Sequence, residues 1–216
     1  MISRAKKEAI LIGDYTNPQY HPLSPVDSEL TAIFSGEFAL QCAEDYEFLR
    51  FDRLSLFDLF ICYADHWEGA ITPEQTAGIL SFVSGGGGLL AIHTGISFQS
   101  SFEYAQLIGA RFTGHPPFQT LEYATSTSAA DHPIMRGVSG FSAPDEPYQF
   151  EMDPFTEKEI LFEYSLAGTK YPAAWAHNFG LGRVVYLMPG HDVNPFLNPT
   201  YREIIKRSGL WALKLL

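Results

Sequence analysis

The stretch from Thr72 to Gly95, TPEQTAGILSFVSGGGGLLAIHTG, constrains the fold more tightly than any other part of the chain. Thr72 followed by Pro73 and then Gln75 is a capping-box pattern with proline in the first helical position, where its missing N–H costs nothing. A helix therefore begins there, with Ile79, Leu80, Phe82 and Val83 on its apolar face. Gly85 to Gly88 end it, because consecutive glycines lose the most backbone entropy in a helix and turn easily. Leu89 to Ile92 is apolar on both faces, the signature of a parallel strand covered by helices on each side. That strand delivers His93 to its carboxyl end, the edge at which doubly wound sheets bind ligands, and Thr94-Gly95 gives a tight turn there. The glycines do not form a phosphate loop, since in those motifs the strand precedes the glycines and the helix follows.

In chain order, Ala9 to Gly13 is a first buried strand, and Asp14 to Pro25, with three prolines and Asn17, is a loop over the sheet's carboxyl edge. A helix is expected from about Ser28 to Leu40, capped by Asp27 or Ser28, then a short strand at Tyr46–Leu49 and a better one at Leu59–Cys62. The latter ends in a polar and aromatic cluster, Tyr63 to Trp67. Phe102 to Ile108 is a short helix stopped by Gly109. From Ala110 to Gly190 the periodicity shifts towards twos, with expected strands around 118–125, 146–151, 159–164, 173–177 and 183–188. The last two flank a glycine-containing hairpin loop at 178–182. Asn198-Pro199 opens a final helix. The pattern is a parallel α/β core with an added set of antiparallel strands in the C-terminal half, and without a linker or repeat it forms a single domain over residues 1–216.

Composition excludes several classes of function. The formal net charge of −11, from 25 acidic against 14 basic residues, argues against nucleic-acid or anionic-membrane partners. Cys42 and Cys62 form no C-x-x-C pair, which disfavours a zinc knuckle or redox motif and suits a reducing cytoplasm. The N-terminal apolar run is too short for a signal-peptide core, and no stretch of about 18 apolar residues suggests a membrane span. Exposed aromatic surface is consistent with a homodimer.

The chemistry rests on seven histidines and their company. His93 and His191 each follow a strong apolar strand, so both project at one edge of the sheet if those strands are parallel neighbours. Asp192 can orient or charge-stabilise His191. Two histidines and a carboxylate can serve acid/base catalysis, can bind a divalent metal, zinc above all, or can simply cap strands. His115, in a rigid Gly-His-Pro-Pro loop, can reach the same edge, and the metal-ligand candidates are His93, His115 and His191. Asp145-Glu146-Pro147-Tyr148 adds a carboxylate beside an aromatic hydroxyl. His177 ends a strand, His132 sits in a turn with Asp131, and His21 and His66 are weaker candidates in loops near the binding edge. No cofactor is required by the sequence.

Five ordered segments carry a family resemblance: GGGGLLAIHTG at 85–95, TGHPPF at 113–118, DHPI at 131–134, DEPY at 145–148 and PAAWAHNFGLGRVVYLMPGHD at 172–192. Together they make the chain similar to the trehalose-utilisation, ThuA-like family, with Ala91 where glycine is frequent and Leu181 where basic or polar residues are. The resemblance implies a flavodoxin-like, mostly parallel doubly wound sheet with class I glutamine amidotransferase-like topology. It also implies a site around His93, which stands in place of the amidotransferase nucleophilic cysteine. A histidine cannot form the glutaminase thioester, and Val193 breaks the companion His-x-Glu pair, so amidotransferase chemistry is not expected. The expectation is a cytoplasmic enzyme acting on a small carbohydrate, a glycoside or oxidised (keto) sugar, by hydrolysis, elimination or isomerisation. Its expected catalytic residues are His93, His191 and Asp192, and its substrate-binding residues are Thr94, Gly95, His115, Glu146, Tyr148 and His177. A metal-dependent hydrolase or isomerase at the same site and a non-catalytic carbohydrate-binding protein are the alternatives.

Overall fold

The computed structural model describes residues 6–216. The strands are β1 (Lys7–Gly13), β2 (Phe38–Ala43), β3 (Leu59–Tyr63), β4 (Gly88–Ile92), β5 (Ala110–Gly114), β6 (Gln119–Thr125), β7 (Gly140–Asp145), β8 (Gln149–Met152), β9 (Glu159–Leu166), β10 (Thr169–Phe179) and β11 (Gly182–Leu187). The helices are α1 (Val26–Phe34), α2 (Phe51–Leu54), α3 (Pro73–Ser84), α4 (Phe102–Ile108), α5 (Asn194–Leu197) and α6 (Pro199–Ala212). One nine-stranded sheet runs in the order β2-β1-β3-β4-β11-β10-β9-β6-β7, with β5 and β8 paired separately. From β2 to β11 neighbours are parallel, and from β11 onward they are antiparallel. Helices α1, α5 and α6 pack together, as do α2, α3 and α4, and members of both groups reach β11, giving the doubly wound arrangement expected.

The sequence signals at α3 and α6 are realised atom by atom. Thr72 Oγ1 accepts from Gln75 N at 3.2 Å while Gln75 Oε1 accepts from Thr72 N at 3.0 Å. Asn198 Oδ1 caps α6 through Thr200 N and Tyr201 N. Strands β1, β3 and β4 carry the buried run Ala9–Ile12, Leu59–Tyr63 and Leu89–Ile92 through the centre of the core.

Four expectations are corrected. The first helix stops at Phe34, and Phe38–Ala43 is instead β2, in register from Lys7↔Phe38 to Ile12↔Ala43. The apolar spacing of Phe38 and Leu40 suits either period, and an open parallel edge on β1 decides it. Asp27 does not cap α1; its carboxylate accepts from the Tyr15 hydroxyl at 2.8 Å. Tyr46–Leu49 is a 3₁₀ turn capped by Asp45, not a strand. Finally, the strand expected at 146–151 begins only at Gln149: β7 ends at Asp145 and β8 runs Gln149–Met152, with Pro147, which has no N–H for a ladder, in the gap. That gap frees Glu146 from the sheet.

The 3₁₀ turn lies so close to α3 that a Cβ on Gly78 would sit 2.1 Å from the Leu49 carbonyl oxygen and 2.7 Å from Phe51 N. At the far side, His177 faces the end of α4, its Nε2 donating to the Leu107 carbonyl at 2.9 Å, and His132 packs against Trp211. His177 pairs with Val184 near the start of β11, the amino edge of the parallel sheet, whereas the ligand-binding edge lies at Leu187. It is therefore a core histidine and does not reach the expected site. Burial draws both imidazoles down to about 4, with the Arg183 charge adding to the effect on His132 and the Lys158 charge to that on His177.

Gly78→Ala should lower stability by about 1–3 kcal/mol in urea unfolding, since the overpacking exceeds the helix-propensity gain of about 1 kcal/mol. For His132 and His177 the folded pKa lies below the unfolded one, so the unfolded chain binds more protons between about pH 6.5 and 4 and stability falls as pH drops through that window. In the double variant His132→Gln/His177→Gln the unfolding free energy should depend less steeply on pH there than in the wild type.

Candidate active site

The sheet reverses direction about β1, with β2 on one side and β3 on the other, so the crevice beyond the carboxyl ends of β1 and β3 is the topological switch point. The loops that follow these two strands carry His21 and Asp65. Two further strands, β4 and β11, are parallel neighbours with Ile92 opposite Leu187, and they bring His93 and His191 to the same edge. The shared edge expected of those two histidines is thus present.

His93 leaves β4 at a corner with φ of 46°, a left-handed conformation uncommon outside glycine. The side chain is wholly buried. Its Nδ1 lies 2.7 Å from the Met188 carbonyl oxygen, which can only accept, so Nδ1 carries the proton and Nε2 the lone pair. His21 repeats the arrangement: Nδ1 is 3.0 Å from Asp65 Oδ1, leaving Nε2 to face Nε2 of His93 at 3.2 Å. Asp65 is fixed by the Trp67 indole N–H (2.9 Å) and by the backbone N–H groups of Tyr20 and His21, and its own N–H donates to Asp14. The Thr94 hydroxyl donates to the Ala64 carbonyl at 3.0 Å and lies 3.2 Å from Asp65.

His191 completes the group, with Nδ1 at 3.1 Å from both His21 Nε2 and Glu146 Oε2. The backbone carrying it is held by the fully buried Asp145, whose carboxylate accepts from Gly190 N at 2.6 Å, with His191 N at 3.4 Å and Glu146 N at 2.8 Å. The Tyr63 hydroxyl donates to the Gly190 carbonyl from the opposite side. One donor atom from each of His21, His93, Glu146 and His191 lies within 4.8 Å of the others.

The electrostatics follow from burial set against these bonds. Burial is the largest influence on His93 and draws its imidazole down to about 4. Burial opposes charge on His21 as well, but Asp65 and Glu146 outweigh it and the net shift is upward. Glu146, though half-buried, is held well below the usual carboxylate range by His191, His21 and His93, and Asp65 is held low by His21 and the Tyr20 and His21 N–H groups. Asp145 goes the other way: burial pushes its carboxyl up to about 7 in spite of its backbone donors.

The expected residues thus separate. His93, His191 and Glu146 meet in one cluster, and His115 borders it with Nε2 3.6 Å from Glu146 Oε1, outside the four-group set although expected as a metal ligand. Asp192 does not orient His191; its carboxylate accepts from Asn194 N and Nδ2 at the turn into α5, and the expected role falls to Glu146 and Asp145. Tyr148 is buried with its ring 4.2 Å from His93 and 4.3 Å from Phe112, so it sets the imidazole plane from beneath. Thr94 is buried and anchors the Asp65 loop, and Gly95 is required because a Cβ there would lie 2.2 Å from the Cys62 carbonyl oxygen. His177 is at the other edge.

Sequence reasoning undervalued His21, Asp65 and Asp145. The usable signal for the first two was topological: they follow the strands on either side of the expected switch point. Asp145 gave none, since a buried carboxylate holding a loop looks like any turn aspartate.

Comparisons with known proteins agree with this architecture. The family model for trehalose utilisation, ThuA, matches residues 19–212. A ThuA-like protein of Parabacteroides merdae superposes with a TM-score of 0.79 at 16% identity, over 96% of this chain and 90% of that one. One from Bacteroides uniformis gives 0.76 at 16% identity, over 95% and 91%. The β-galactosidase of Rahnella sp. R3 gives 0.66 at 16% identity, over 98% of this chain but 32% of its own. At such identities these likenesses concern the fold. Among curated protein sequences none matches. The family match, spanning nearly the whole chain and including every member of the histidine–carboxylate cluster, places this protein in the trehalose-utilisation family, ThuA.

Proposed function

We propose that the protein is an enzyme acting on a glycoside or an oxidised (keto) sugar at the carboxyl edge of the parallel sheet. The observation that carries this reading is the convergence of three histidines and Glu146 beside an open depression. That depression, of about 530 Å³, is lined by Asn17, Gln19, Asp65, His66, Trp67 and Glu68. Amide and carboxylate groups around an indole suit a sugar, which offers hydroxyls at its rim and an apolar C–H face to a ring. Tyr20 and Phe118, 62% and 46% exposed, add aromatic surface next to the cluster, with Tyr20 6.1 Å from the His21 ring and Phe118 5.3 Å from the His191 ring. Membership of a trehalose-utilisation family supports the same substrate class.

Contact with substrate falls to the groups that reach the surface. Side chains of Glu146, His191 and His115 are 14%, 29% and 33% exposed, whereas His93 is closed off completely. The expected acid/base role of His93 therefore becomes one exercised from beneath, through the cluster. His115, with Nδ1 at the Pro116 carbonyl and Nε2 3.6 Å from Glu146 Oε1, offers Nε2 at the surface to exchange a proton with a bound sugar. Hydrolysis, elimination and isomerisation each need such a transfer at oxygen or carbon. Histidine in place of a cysteine nucleophile leaves no route to a glutaminase thioester.

Incubation with a panel of glycosides and their 3-keto derivatives, followed by NMR, should reveal turnover of at least one. His115→Ala should lower kcat by about 10²–10⁴-fold with unchanged unfolding midpoint. Sugar binding by calorimetry without turnover of any member would replace this reading with that of a carbohydrate-binding protein.

A further inference from the structure

We infer that His21, His93, His191 and Glu146 hold a divalent transition-metal ion, with His21 and His93 bound through Nε2, His191 through Nδ1 and Glu146 through Oε2. The inference deepens the functional reading by assigning what occupies its reaction centre, yet it rests on the geometry of the cluster alone.

The first argument is one of hydrogen-bond accounting. Nδ1 of His93 faces a carbonyl oxygen and Nδ1 of His21 faces a carboxylate that already accepts from other donors, so both rings spend their N–H outward. Two imidazole lone pairs are left pointing at each other across 3.2 Å inside the protein. A lone pair cannot accept from a lone pair, and no hydrogen bond stands between neutral rings in that arrangement. A third lone pair or a carboxylate oxygen closes in from His191 and Glu146. His191 Nδ1 can donate to only one of these neighbours at a time, so the facing lone pairs of His21 and His93 beside the Glu146 carboxylate still lack a partner, and a cation supplies it.

The second argument is metrical. Ligands about 2.0–2.1 Å from a tetrahedral zinc ion stand roughly 3.3–3.4 Å apart from one another. Five of the six separations are 3.2 Å for His21 to His93, 3.1 Å for His21 to His191, 3.1 Å for His191 to Glu146, 3.6 Å for His93 to Glu146 and 3.7 Å for His21 to Glu146, and the sixth, His93 to His191, lies within 4.8 Å. The five bracket the edge of that tetrahedron. The third is the outer shell: metal-ligating histidines characteristically donate their other N–H to a carboxylate or a backbone carbonyl, and here Asp65 and Met188 supply one of each. Three nitrogens and one carboxylate oxygen suit zinc and its neighbours cobalt, nickel and iron better than calcium or magnesium. Such an ion polarises a carbonyl or activates water.

Protein stripped with chelator and titrated with zinc in a calorimeter should take up one equivalent, and cobalt(II) should produce the intense visible bands of a low-symmetry, four- or five-coordinate site. His21→Ala and Glu146→Gln should each weaken binding by about 100-fold or more, and Asp65→Asn by about 10–100-fold through the outer shell. His132→Gln, remote from the cluster, should bind as the wild type does, and circular dichroism should show all four variants folded. Absence of stoichiometric uptake, or equal uptake by His21→Ala, would overturn the assignment and leave a shared proton as the cation between the rings. Because no sugar enters this experiment, its failure is separable from failure of the carbohydrate reading: metal uptake without turnover, and turnover without metal uptake, are distinct results.

Discussion

Everything at the candidate site depends on the parallel ladder between β4 and β11. These strands are separated by most of the C-terminal half, yet they pair from Gly88↔Arg183 to Ile92↔Leu187 at the middle of the sheet. Ending level, they release His93 and, after Met188-Pro189-Gly190, His191 within reach of each other. The pairing also presents the Met188 carbonyl to His93, so that one strand fixes the tautomer of the histidine delivered by the other. A one-residue slip would turn one strand's faces over relative to the other and dissolve the arrangement.

Around that ladder the two acidic residues buried deepest act on opposite sides. Asp65 gathers the loop after β1 through the Tyr20 and His21 N–H groups and binds the His21 ring. Asp145, at the last residue of β7 on the far edge strand, reaches Gly190 and so ties the antiparallel half back to the parallel half. Burial of carboxylates is costly unless each is met by donors; Asp145 is met by backbone N–H groups, and Asp65 by the Tyr20 and His21 N–H groups together with the His21 ring and the Trp67 indole. Their place in the fold is to hold backbone, and the cluster's geometry is a result of that.

Much of this architecture is legible in the sequence because it is dictated locally. The capping box at Thr72, the Asn198 cap, the two-sided apolar strands and the Gly109 stop are each written within a few residues, and His93 and His191 follow from the strands before them. What is not legible depends on partners distant in sequence. Phe38 to Ala43 carries no decisive period, and becomes a strand because β1 offers an edge. His21 lies in a proline-rich loop whose path is fixed by an aspartate 44 residues away. Adjacency alone makes Asp192 the natural partner of His191, but adjacent side chains need not face each other, and a turn directs it to Asn194.

The cluster joins residues as far apart as His21 and His191, 170 positions along the chain. It draws its members from loops after β1, β4, β7 and β11. Contacts of such long sequence separation form only after large loops have closed, so they belong to the late stages of folding. No fragment of the chain can assemble the centre, and a ligand bound there would bridge the first strand and the last, adding its binding free energy to the stability of the whole domain.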